Sequence, residues 1–153
     1  MSSFVYDNAK AKFHDGTLDW DTNTFKIMAV TSGYTADQTH VNVSSVVSAS
    51  NEITGTGYVR GFGGAGRKTL TSNTAYVNTA LHRAEMKSAG VVTWTGLNAG
   101  TIAAFIIIKE NTSDADSLLV AYIDAASIST LPLVTNGSDV SITFDATGVF
   151  RVA

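Results

Sequence analysis

Thr101-Ile102-Ala103-Ala104-Phe105-Ile106-Ile107-Ile108-Lys109 holds the longest apolar run in the chain. From Ile102 to Ile108 it has the length of a strand, far short of the roughly 18–20 apolar residues that span a bilayer. Both of its faces are apolar, so it belongs at the centre of a sheet with cover above and below. Leu118 to Asp124 has the same character: Leu118, Val120 and Tyr122 alternate with Leu119, Ala121 and Ile123. Two strands that bury both faces point to a β-rich core.

Val91 to Thr95 and Val140 to Asp145 add strands on this side of the chain. Turn-rich stretches separate them: Gly96-Leu97-Asn98-Ala99-Gly100, Asn111 to Asp116, and Asn136-Gly137-Ser138. Upstream, Thr24 to Thr31 alternates, with Phe25, Ile27 and Ala29 on one face and Lys26, Met28 and Val30 on the other. Asp19-Trp20-Asp21 supplies the turn before it. Ile53 to Arg60, Lys68 to Leu70 and Ala75 to Ala80 read as further strands, and Gly61 to Gly66 as a glycine-rich tip. Leu81 to Gly90 fits a strand or a helical turn, and periodicity does not decide between them. Ser32 to Asn51 is polar and weakly patterned, a surface excursion with a helical turn around Val43 to Val47.

At the start, Phe4 to His14 reads as a short amphipathic helix, because Val5, Ala9 and Phe13 recur every fourth residue. Ser2 or Ser3 is placed to cap it, and Gly16 to end it in the left-handed conformation. Three turns are marginal alone, so this helix must pack on something. The chain of 153 residues has one proline, no low-complexity linker and no repeat of solenoid period. The expected fold is one domain over residues 1–153, mainly β, an antiparallel sandwich or barrel with a short N-terminal α-helix.

Only 15% of the residues are charged, against roughly 25% in an ordinary soluble domain. Thr, Ser, Gly and Asn take their place. Such a surface is desolvated cheaply against a partner, since hydroxyls and amides resist transfer less than ammonium and carboxylate heads. Many turns in a β protein consume the same residues, so both readings stand. The net charge is −3 and the ten Lys and Arg are scattered, which disfavours nucleic acid, whose phosphates need clustered cations. There are no cysteines, hence no disulfides and no thiolate metal sites. With no membrane span and no basic-then-apolar leader, the protein is expected to be made in a cytosol and to stay soluble until it meets its partner.

Candidate chemical motifs fail on inspection. Gly61-Phe62-Gly63-Gly64-Ala65-Gly66 matches G-x-G-x-x-G, but it runs into strand-like Arg67-Lys68-Thr69-Leu70 instead of opening a helix whose N-terminus would hold a pyrophosphate. Asp19, Asp21 and Asn23 mimic the first ligands of a calcium loop, yet Thr24 stands where glycine is needed and Val30 where a bidentate Glu is needed. Asp114 and Asp116 have no third acid beside them. His14, His40 and His82 lack the spacing of a helical zinc site, and no serine sits in a nucleophile elbow. Asn42, Asn111 and Asn136 open glycosylation sequons of the kind a Ser/Thr-rich chain contains by chance. No enzyme activity, cofactor or metal is expected. Trp20 and Trp94 read first as core anchors and second as interface hot spots.

The opening, Phe4-Val5-Tyr6-Asp7-Asn8-Ala9-Lys10 through Gly16-Thr17-Leu18-Asp19-Trp20-Asp21-Thr22 and Phe25-Lys26-Ile27-Met28-Ala29-Val30, resembles a family of small tailed-bacteriophage virion proteins. So do Ser32-Gly33-Tyr34-Thr35, Gly55-Thr56-Gly57-Tyr58, Val91-Val92-Thr93-Trp94 and Ser117 to Asp124. Gly61 to Lys68 and Leu81 to Gly90 depart from the pattern. The resemblance implies a structural protein of the virion, assembled in the host cytoplasm. Capsid decoration (cement) comes first among the roles it implies, and a neck or tail component second. It implies the major capsid protein or other virion subunits as partners, and a homo-oligomer, a trimer by preference. Contacts are expected from the N-terminal region through Phe4, Tyr6 and Trp20, from the excursion through Tyr34 and Val43, and from the glycine-rich tip through Phe62 and Arg67. A carbohydrate- or receptor-binding β module, using Trp20, Tyr34 and Tyr58, is the competing class.

Overall fold

The computed structural model describes residues 3–47, 50–145 and 148–152. In chain order these form β1 (Phe4–Val5), α1 (Asp7–His14), β2 (Lys26–Val30), α2 (Ser44–Val47), β3 (Lys68–Thr69), β4 (Asn73–Asn78), β5 (Arg83–Ser88), β6 (Val92–Trp94), β7 (Thr101–Ile102), β8 (Ala104–Lys109), β9 (Leu118–Ile123), β10 (Leu133–Val134), β11 (Val140–Ile142) and β12 (Phe150–Val152). The architecture is mainly β, with every strand pair antiparallel. A five-stranded sheet runs β1-β9-β8-β2-β3 and a three-stranded one β12-β5-β4, with two-stranded pairs β10-β7 and β11-β6. The sheets are sandwich-like and do not close into a barrel.

The run that anchors the sequence reading lies where its apolarity demands. β8 sits between β9 and β2, with Lys26 opposite Ile108 and Val30 opposite Ala104, and Ala104 to Ile108 are fully buried. The predicted single strand is nonetheless two. At Ala103, whose N–H donates to the Val30 carbonyl at 2.8 Å, the chain leaves one ladder for another. Thr101 and Ile102 pair with β10, and residues from Ala104 onward pair with β2 and β9.

Several local readings change. Phe4 and Val5 form a strand against Tyr122 and Ala121, and the helix starts only at Asp7. β9 offers a free edge there, and an extended segment satisfies its backbone groups where a helix would not. Ser2 lies outside the described residues, and Ser3 donates to Asp124 instead of capping. Gly16 does adopt the left-handed conformation, at φ +77°. Ile53 to Arg60 is a turn-rich connection, closed by reciprocal hydrogen bonds between Gly55 and Tyr58. Gly57 explains this: its φ is +79°, and a Cβ there would lie 2.8 Å from the Thr95 carbonyl oxygen. Within residues 81–90 the strand β5 forms, with Arg83, Glu85 and Lys87 on one face, Ala84, Met86 and Ser88 on the other, and Glu85, Met86 and Ser88 buried. The helical turn in the excursion is α2, although residues 48 and 49 of that excursion lie outside the described ones. β10 and β12 add two short strands.

Candidate interaction surface

The glycine-rich tip is held from beneath by charge. Arg67 is inside the protein, and its guanidinium meets Glu52 in a two-pronged contact, Nε to Oε1 at 2.9 Å and Nη2 to Oε2 at 2.8 Å. Its Nη1 donates to Glu110 at 3.0 Å and to Asp114 at 2.6 Å. Lys26 closes the cluster on Glu110. Burial opposes the charge on Arg67, but its hydrogen bonds to Glu52 and Asp114 outweigh that and raise the pKa above the ordinary arginine value. Glu52 also accepts from the Tyr58 hydroxyl at 3.0 Å and the Gly61 N–H at 3.1 Å. Burial first, and the Glu52 charge next, push the Tyr58 phenol well above its usual pKa, so it stays a neutral donor. The Tyr58 ring lies against Gly66, where an added Cβ would come within 2.2 Å of a ring carbon. The network fastens the loop to the sheet.

Arg67 is therefore no interface residue, and four others of the seven fall with it. Tyr6 is buried and bonds the hydroxyl of Tyr34 at 3.0 Å, and Tyr34 in turn bonds His40 Nδ1 at 3.0 Å. Val43 is buried under β9, its N–H donating to the Ser117 carbonyl. Trp20 packs on Phe25 and Phe150 at ring distances of 4.5 and 5.0 Å, and its Nε1 donates to the Lys87 carbonyl at 2.7 Å. Large aromatics and a fully paired guanidinium serve the interior better than a wet surface. With Trp20, Tyr34 and Tyr58 inside, no aromatic platform for a sugar remains among them. Phe4 is half-buried, stacked on Tyr122 at 5.2 Å. Phe62 keeps 46% of its surface exposed.

Beyond Phe62, the surface presents apolar residues that the sequence did not single out. Val59, 61% exposed, stands beside Phe62 on the loop that Arg67 anchors. The β4–β5 hairpin carries Tyr76, Val77 and Leu81, the last two 69% and 56% exposed. On one face of this hairpin Arg83, Glu85 and Lys87 pair among themselves, and Lys87 also lies 4.0 Å over the Tyr76 ring. A cleft of about 540 Å³ opens beside β1 and β12, lined by Phe4, Tyr122, Ile128, Phe144 and Val149 among others. Its lining is mixed apolar and hydroxyl, with Asp145 the one carboxylate and Arg151 the one cation among the described residues.

The acidic turns are structural. Asp19 accepts the N–H groups of Asp21 and Thr22, and Asn23 accepts that of Asp19. Asp116 accepts from the Thr112 and Ser113 hydroxyls and N–H groups, with Thr112 Oγ1 at 2.6 Å. Those bonds, the Thr112 hydroxyl foremost, hold its pKa down to about 2. A lowered folded pKa adds stability above the unfolded value of 3.8, and that stability is lost as pH falls through about 2. The amide shifts of Thr112 and Ser113 should accordingly titrate with a midpoint near 2. A midpoint at the ordinary carboxylate value would contradict these bonds. His14 ends α1, His40 joins the tyrosine pair and His82 lies at the hairpin tip, so no two share an element. Among the described residues no group of three or more His, Asp or Glu is placed to hold a metal ion, and no helix is long and apolar enough to cross a membrane.

No family model, no curated protein and no solved structure matches this chain.

Proposed function

We propose that the protein is a structural subunit of a tailed-phage particle, acting as a capsid decoration protein that stabilises the shell by protein–protein contact. The observation that carries this reading is the pair of apolar projections on a surface poor in charge. One is Val59 and Phe62 on a braced loop, and the other is Tyr76, Val77 and Leu81 on a hairpin. Apolar side chains on rigid supports suit docking into a neighbour, because little conformational entropy is lost on binding. At about 25 cal/mol per Å², a few hundred Å² covered per copy is significant, and many copies on one closed shell multiply the effect. The major capsid protein is the partner in this reading, and the subunit is a homo-oligomer, a trimer by preference.

Purified particles would carry the protein at a fixed copy number per shell. A Val59→Ser, Phe62→Ser double variant would fold with stability within about 0.5 kcal/mol of the parent, yet drop out of the particles. Particles that lack the parent protein altogether, or retain the variant at full copy number, would refute the assignment.

A further inference from the structure

We infer that the outer edge of β4 is a self-pairing edge, matched to β4 of a second copy of this chain and held closed by the carboxylate of Asp21. β4 is the last strand of its sheet, and Thr74 to Val77 are exposed although β5 beside them is half buried. Backbone groups in an antiparallel ladder alternate between the partner strand and the outside. The Met86 carbonyl turns toward β12, where it accepts the Val149 N–H at 2.7 Å. Its opposite number on β4 is Ala75, so Ala75 turns its own backbone groups outward. There the Ala75 N–H finds Asp21 Oδ1. By the same alternation Asn73 and Val77 also face out.

Asn73-Thr74-Ala75-Tyr76-Val77 contains no charge and no proline. Natural edges are usually guarded by such residues or by bulges. Two copies laid antiparallel about Ala75 place Asn73 opposite Val77 and Thr74 opposite Tyr76, with no like charges meeting. Reciprocal N–H to carbonyl bonds form at Ala75 with its twin and at each Asn73–Val77 pair. The outcome is a six-stranded sheet across a two-fold axis, an isologous contact. The guard comes instead from a separate element. Asp21 belongs to the turn whose N–H groups Asp19 and Asn23 tie together, and Trp20 anchors that turn in the core.

The inference is independent of the shell role proposed above, and it is tested on the isolated protein. Asp21→Ala and Asp21→Thr remove an acceptor long enough to reach Ala75, and light scattering at micromolar concentration should give each at least twice the mass of the wild type. Asp21→Asn keeps the accepting carbonyl and should match the wild type. Adding Val77→Pro to Asp21→Ala should restore the wild-type mass. Proline there removes an outward N–H and spares the β4–β5 ladder. Unchanged mass in both open variants, association that Val77→Pro does not reverse, or failure of both open variants to fold would each overturn the inference.

Discussion

Replacing Arg67 with methionine is expected to cost about 3–5 kcal/mol of folding stability, because it strands a carboxylate in the interior. The side chain of Glu52 is 1% exposed and that of Arg67 is fully enclosed, so water cannot take the place of the guanidinium. Glu52 would have to stay charged without its main partner or take up a proton, and either route costs free energy. Arg67→Lys keeps the charge but not the fork, and should fall between the two. Glu52→Gln combined with Arg67→Met should recover part of the loss, since the pair then disappears together. For a domain of this size the single change lowers the melting temperature by roughly 6–20 °C, readable by calorimetry. A loss below about 1 kcal/mol would mean that the cluster is far wetter than its geometry.

Trp94→Ala should be comparably severe, at about 3–5 kcal/mol. The indole is fully buried, stacked 5.6 Å from Phe105 and 6.4 Å from Tyr58. Its Nε1 donates to the Gly66 carbonyl at 2.6 Å, so it is a second fastening of the glycine-rich loop. Alanine leaves a cavity between the loop and β8 and an unpaired carbonyl beside it. Trp94→Phe fills most of that space and fails only at the hydrogen bond, for about 1–3 kcal/mol. Denaturant unfolding of the two variants separates packing from hydrogen bonding. Equal losses in both would place the whole effect in the hydrogen bond, against the packing argument.

The sheet was legible wherever burial alone dictates residue type. Ile102 to Ile108 and Leu118 to Asp124 are apolar on both faces because they lie inside, and no other feature is needed to read them. The strand at Lys26 to Val30 and the anchoring roles of both tryptophans follow from the same rule, although Ile27 to Val30 are buried on both faces and not on one alone. Legibility ended where a residue's place depends on a distant partner. Nothing local distinguishes Phe4-Val5 as a strand from the first turn of a helix, since the deciding group is the free edge of β9 over a hundred residues away. Arg67 was read as an exposed contact because it follows a flexible glycine run. Its three carboxylates come from positions 52, 110 and 114, and no spacing rule links them. The hairpin was only half legible for a related reason: Ala75 to Ala80 reads as a strand, but in Leu81 to Gly90 the residues that alternate on one face are the mutually paired Arg83, Glu85 and Lys87, a charge pattern that hydrophobic periodicity cannot register.

The division of the stretch 101–109 between two ladders bears on how the molecule comes apart. One continuous backbone segment is stitched to β10 at its start and to β2 and β9 thereafter. Opening either set of bonds drags on the other, with no loop between them to take up slack. Amides of Ile102 and of Ile106 should therefore exchange with solvent at a common rate set by global opening. Frayed or stepwise melting belongs to the hairpin arm.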